Sequence, residues 1–282
     1  MRVIDSIASP GSALGGGMKT GSVDDRYVFD EAAGWACVID GATDVGPVRI
    51  FREEESDAAW FAEMFSKELL ATPIQPDESP EAYFQRFAVR LRDQSAKASR
   101  VPLEDAPHSA LPTAAAVWVR ARNGQIEGAW LGDAMGIVRS PNGALELVGD
   151  AGKADEENER AKKVMKLSEA ERRQWLQDTR ELHNRPEGYW VFGVQPEAAG
   201  RISHVRLSGD PGTLVLIMSD GFYRLVAPYG RYTDGELLEA AAGRGLGALL
   251  SELRDLEGSP ADDAEIGRFK TSDDATALLL EL

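Results

Sequence analysis

A single cysteine, Cys37, and only three histidines stand among 282 residues. One thiol excludes an internal disulfide framework and suits a reducing compartment. The histidines, His108, His183 and His204, are scattered, and none pairs with another or with Cys37 at zinc-ligand spacing. No Gly-x-Ser-x-Gly elbow accompanies them, which argues against serine-nucleophile chemistry. No run approaches the roughly 18 apolar residues of a membrane span. Met1–Pro10 carries Arg2 and Asp5 and lacks the apolar core of a secretory leader, so a cytoplasmic protein is expected. Positive charge is also short: 31 basic against 47 acidic residues leave a net charge of −16. Such a surface repels nucleic acid, and an anionic substrate would need a local source of positive charge.

What is present is a globular mixture, 43% hydrophobic and 28% charged. Residues 26–30 and 34–39 read as two short strands joined by a tight turn. The spacing of Ala58, Phe61, Ala62, Phe65 and Leu69 predicts a helix over 53–71. Tyr83, Phe87 and Leu91 predict another over 80–99, with Ser79 as its N-cap and Pro80 in its first turn. Strands are expected at 113–121, 125–131, 136–140 and 144–148, divided by Asn123-Gly124, Gly132-Asp133 and Asn142-Gly143. Residues 153–185 are charge-dense, with a capping box at Ser168–Glu171 that opens a helix. Strands return at 202–207 and 214–218. Helices follow from a second capping box at Thr233–Glu236 to about Leu256, and a last strand covers 276–282. Two strand groups with helix pairs placed after the second strand and before the last predict an α/β chain of the α+β kind. Its layers would be an α-β-β-α sandwich, with two mostly antiparallel sheets flanked by helix pairs.

The Gly-rich stretch Gly11–Thr20 fails as a phosphate-binding P-loop, because Met18 separates Gly17 from Lys19. The aspartates carry more information. Val38-Ile39-Asp40-Gly41 and Ile217-Met218-Ser219-Asp220-Gly221 each end an apolar run in Asp-Gly. Asp24-Asp25 precedes the first expected strand, Asp273-Asp274 precedes the last, and Trp130-Leu131-Gly132-Asp133 adds another strand end. Any one Asp-Gly reads as a turn. Gathered at one edge, carboxylates about 4 Å apart repel by roughly 4 kcal/mol at an effective dielectric of 20. Hard divalent cations relieve that repulsion, and all-oxygen donors favour Mg²⁺ or Mn²⁺ over zinc. Glycine after aspartate would let a backbone carbonyl approach the ion.

In order and spacing these motifs resemble those of the metal-dependent protein phosphatases, the PPM or type-2C serine/threonine phosphatases. The resemblance runs over nearly the whole chain: Val23-Asp24-Asp25, Val38–Gly41, Pro112–Val117, Leu131–Ala134, Met218–Gly221 and Ser272–Thr276. It implies one PPM-type domain over 1–282, with residues of about 150–190 forming the family's variable flap. It also implies two Mn²⁺ or Mg²⁺ ions and a weaker third. Asp40 would bridge the pair. Asp220 and Asp273 would hold one ion, and the Gly41 carbonyl with Asp24 the other. Asp25 would orient the attacking water, so Asp25 and Asp40 are the expected catalytic residues; Asp133 would serve the third ion. The implied reaction is hydrolysis of a phosphomonoester, foremost phosphoserine or phosphothreonine on a protein substrate of a serine/threonine kinase, with no nucleic acid or membrane partner.

The chain departs from the family at four positions. Thr20 stands where an arginine grips the phosphate, leaving Lys19 or Arg26 as expected substitutes. Asp24 replaces a glutamate, Ala42 a histidine, and Arg224 an aspartate near the third ion. The arginine's absence keeps open a second reading, a pseudophosphatase that binds phosphoproteins or regulators without turnover. A phosphatase of small metabolites is a third.

Overall fold

The computed structural model describes residues 1–12, 23–45, 48–51, 56–164, 166–259 and 271–282, the side chains of 153–158 excepted. Eleven strands form two sheets. The five-stranded sheet has the order β1 (Arg2–Ser9), β11 (Ala275–Glu281), β10 (Leu214–Met218), β6 (Met135–Arg139), β7 (Leu145–Val148). The six-stranded sheet runs β2 (Arg26–Asp30), β3 (Trp35–Gly41), β4 (Thr113–Arg122), β5 (Gln125–Leu131), β9 (Ser203–Ser208), with the short β8 (Phe192–Gly193) also on β4. Every pairing among the described residues is antiparallel.

The alternation of side chains along each strand builds three apolar layers. In β3, Ala36 and Val38 face the other sheet and meet Val215, Ile217, Leu278 and Leu280. Trp35, Cys37 and Ile39 point the other way, onto α1 (Asp57–Ala71) and α2 (Pro80–Ala98) through Phe61, Phe65, Phe84 and Phe87. Leu216, Met218, Ala277 and Leu279 pack outward against α6 (Asp234–Arg244) and α7 (Leu246–Gly258) through Leu237, Leu238, Leu249 and Leu253. The four expected layers are therefore present, and β3, β10 and β11 are mostly apolar because helices cover one face and a sheet the other.

Local chemistry sets the helix starts. Ser56 and Ser79 accept the N–H groups of Ala59 and Ala82, and Pro80 sits in the first turn of α2. Both capping boxes form, Ser168 with Glu171 and Thr233 with Glu236. The Ser168 box opens α4 (Glu169–Glu181), which follows α3 (Ala151–Val164). No helix among the described residues is long and apolar enough to cross a membrane.

Besides the short β8 and the one-turn helix at Asp220–Tyr223, two longer elements were not foreseen. Arg2–Ser9 is a strand at the sheet edge, paired among the described residues with β11, so Arg26–Asp30 is the second strand rather than the first. Helix α3 buries only Ala161 and Val164 among its described side chains, which leaves almost no apolar stripe to read.

Candidate metal centre

The inter-sheet series of β3 continues from Ala36 and Val38 to Asp40. In β10 it passes from Val215 and Ile217 to Ser219, whose hydroxyl is fully buried. The next residue, Asp220, starts the one-turn helix α5 (Asp220–Tyr223), and its N–H donates to Oδ2 of Asp40 at 3.1 Å. The strands that carry the two Asp-Gly motifs lie in different sheets, and their ends meet here.

The glycines have a steric use besides the expected one. A Cβ on Gly41 would lie 2.3 Å from the Asp24 carbonyl oxygen, and one on Gly221 would lie 1.9 Å from that of Asp274. Each Asp-Gly thus admits a second acidic segment across its backbone. Asp274 fastens the crossing: one carboxylate oxygen accepts the N–H of Gly11 and the other that of Asp24, both at 2.6 Å. Ser56, while capping α1, donates to Oδ1 of Asp24 at 2.8 Å. Asp274 was not among the expected site residues; its place in an acidic doublet was the available signal.

Asp25 is buried, and its Oδ2 has no hydrogen-bond partner among the described residues. Burial, then the charge of Asp274, hold its carboxyl well above the usual range, against a hydrogen bond from Ser219. Asp40 is raised likewise, by burial and then by Asp220, Asp25 and Asp133. Asp220 is pushed up to about 6 by burial and by Asp273 and Asp133, with Arg224 opposing. Arg224 ion-pairs with Oδ2 of Asp273 at 2.8 Å and stands 3.6 Å from Glu257, which Arg254 also engages at 2.6 Å. The Asp273 N–H donates to the same buried Glu257 at 3.3 Å.

Asp40, Asp133, Asp220 and Asp273 line one end of a cavity of about 710 Å³. Arg160 and Lys163 of α3, and Trp175 and Arg180 of α4, line it too. His183 also lines it, but burial, with Arg180 and His108 nearby, pushes its imidazole down to about 3. It is neutral at ordinary pH and does not replace the histidine whose slot Ala42 fills. Of the expected phosphate-gripping residues, Arg26 directs its guanidinium to the carbonyls of Val23 and Asp25, and Lys19 lies outside the described residues.

Among the described residues, no group of three acidic, histidine or cysteine side chains forms a ready-made ion cage. The donor chemistry nonetheless fits a hard divalent cation. The side chains are all oxygen donors, one buried carboxylate oxygen lacks a partner among the described residues, and burial, then neighbouring carboxylates, hold three acids above the usual range.

The fold is a helix-flanked antiparallel sandwich with an acidic cleft where its sheets meet. Residues 20–244 match the model of the protein phosphatase 2C family, and the chain belongs to that family of metal-dependent phosphatases. Solved structures share its fold. The serine/threonine phosphatase PstP/Ppp of Mycobacterium tuberculosis is 12% identical, with 98% of this chain and 97% of that one covered and a TM-score of 0.57. The PPM Ser-Thr phosphatase MsPP of Mycobacterium smegmatis is 16% identical, with both chains covered in full and a TM-score of 0.54. The catalytic domain of PstP in complex with two manganese ions is 12% identical, covers 98% and 96%, and has a TM-score of 0.52. A search of curated proteins gives no match.

Proposed function

We propose that this chain hydrolyses phosphomonoesters, foremost phosphoserine or phosphothreonine on proteins, in one domain with residues of about 150–190 as a flap over the site. The observation that carries this reading is the Asp40–Asp220 contact, which joins the ends of two sheets beneath a cavity lined by further aspartates. Two Mn²⁺ or Mg²⁺ ions, as in the manganese complex of PstP, are the proposed cofactors. Bound here, they would lower the pKa of a water and place positive charge beside the phosphoryl oxygens.

Each residue then has a proposed task. Asp40, between the two sheets, would serve both ions, Asp220 and Asp273 would hold one, and Asp24 with the Gly41 carbonyl would hold the other. Asp133, at the cavity wall, belongs to a weaker third position. Asp25 keeps one carboxylate oxygen unengaged in a buried setting, which suits it to hold the attacking water by accepting its proton in a hydrogen bond. Asp274 and Ser56 orient Asp24 and its neighbour from behind.

The test is calorimetric titration with Mn²⁺ beside turnover of p-nitrophenyl phosphate and a phosphopeptide library. Metal-dependent release of phosphate is expected. Metal binding without turnover of any substrate would transfer the chain to the binding-only reading, and absence of metal binding would end both.

A further inference from the structure

The position that holds a phosphate-gripping arginine in related sequences is Thr20, and Arg26 spends its guanidinium on backbone carbonyls. A different arginine stands over the site. Arg180, on α4, is 7% exposed and lines the cavity that Asp40 and Asp220 line. Its Nη2 donates to the carbonyl of Thr43 at 2.9 Å, three residues beyond Asp40. A guanidinium carries five N–H donors and stays charged, yet among the described residues no carboxylate forms an ion pair with it. Asp44, the acid whose charge reaches it, is occupied by Arg49 at 3.4 Å and by the N–H groups of Asp57 and Ala58. Buried charges are ordinarily paired. A sequestered cation that no described carboxylate pairs, in a chain of net charge −16, suits an anion that arrives from outside.

We infer that Arg180 grips the phosphoryl group of the substrate, from the flap helix rather than from the N-terminal segment. The planar fork suits two oxygens of a phosphate monoester. Arg160 and Lys163 line the same cavity and add positive charge to it, and the Thr43 carbonyl anchors one N–H of the fork. This inference rests on the phosphatase reading, since the phosphoryl group must lie between Arg180 and the acidic end.

The test uses inorganic phosphate as the probe. Phosphate binding to the Mn²⁺-loaded full chain is measured by calorimetry for wild type, Arg180→Gln and Arg180→Lys, while wild-type turnover of p-nitrophenyl phosphate is followed separately. Gln keeps a donor for Thr43 and loses the charge; Lys keeps the charge and loses the fork. Phosphate should bind at least 10-fold more weakly to the Gln variant, with a smaller loss for Lys, and KM should rise more than kcat falls. Affinity within 2-fold of wild type in the folded Gln variant would reduce Arg180 to a tie for the Thr43 loop and overturn the inference. So would wild-type protein that binds no phosphate. If the Gln variant does not fold, a crystal of wild type soaked in Mn²⁺ and phosphate decides: phosphate bound out of hydrogen-bond reach of Arg180 overturns it. Absent turnover with phosphate still held at Arg180 would instead fail the hydrolytic reading alone.

Discussion

The N–H of Asp220 reaches Oδ2 of Asp40 at 3.1 Å, and that bond spans the two sheets at the point where each runs out of apolar residues. Every other acid of the centre is placed relative to this pair. Asp24 and Asp25 cross Gly41 on one side, and Asp273 and Asp274 cross Gly221 on the other.

Removing the charge of either partner should separate chemistry from folding. Asp40→Asn and Asp220→Asn are each expected to lower Mn²⁺-dependent turnover of p-nitrophenyl phosphate by at least about 100-fold. Both should melt no lower than wild type without metal, because each relieves a repulsion. Near-normal turnover with excess Mn²⁺ would contradict the assignment.

The pH dependence of the metal-free protein has a definite sign. Asp220 titrates near 6 in the folded chain against 3.8 in the unfolded one. Its contribution to stability is complete below about pH 4 and is lost as pH rises through about 6, on the order of 2–3 kcal/mol. Melting curves of wild type and Asp220→Asn without divalent metal should therefore diverge between pH 4 and 7, with wild type losing more. With Mn²⁺ present the trend should reverse, because protons compete with the ion and binding strengthens above pH 6.

The glycine crossings predict a steric effect independent of charge. Gly221→Ala places a methyl 1.9 Å from the Asp274 carbonyl oxygen, and Gly41→Ala places one 2.3 Å from that of Asp24. Each should cost about 1–3 kcal/mol in urea unfolding. Gly200→Ala, which meets nothing within 4 Å, serves as control and should change stability by less than about 0.5 kcal/mol.

Arg224→Met should be severe. It takes the guanidinium away from Asp273 and leaves the buried Glu257 to Arg254 and its remaining partners, at a cost of about 3 kcal/mol. Mn²⁺ should then recover more of the melting temperature than it does in wild type, because the freed negative charge strengthens ion binding. Equal recovery in both would detach Arg224 from the centre's electrostatics.

The sandwich could be read because its strands obey simple rules. β3, β10 and β11 are short apolar runs ended by Asp or preceded by it, and serine or threonine caps open four of the helices. β1 could not, because its one-sided pairing leaves Arg2, Ile4 and Ala8 outside any apolar alternation. Nor could α3, whose stripe is two residues wide. At the centre, Asp40 and Asp220 were marked by motif. Asp274 was hidden because its role is to accept backbone N–H groups from segments remote in sequence, a relation that has no local period. Arg180 was hidden more deeply, as one charge among many in 153–185, and only packing against the Thr43 loop singles it out.

β11 lies between β1 and β10, inside its sheet rather than at an edge. It is also the last strand in chain order, and it delivers Asp273 and Asp274. On the ribosome, a nascent chain that has reached α7 holds Asp25, Asp40 and Asp220 but has a gap where the inner strand belongs. The acidic centre is therefore incomplete until β11 has paired with both β1 and β10.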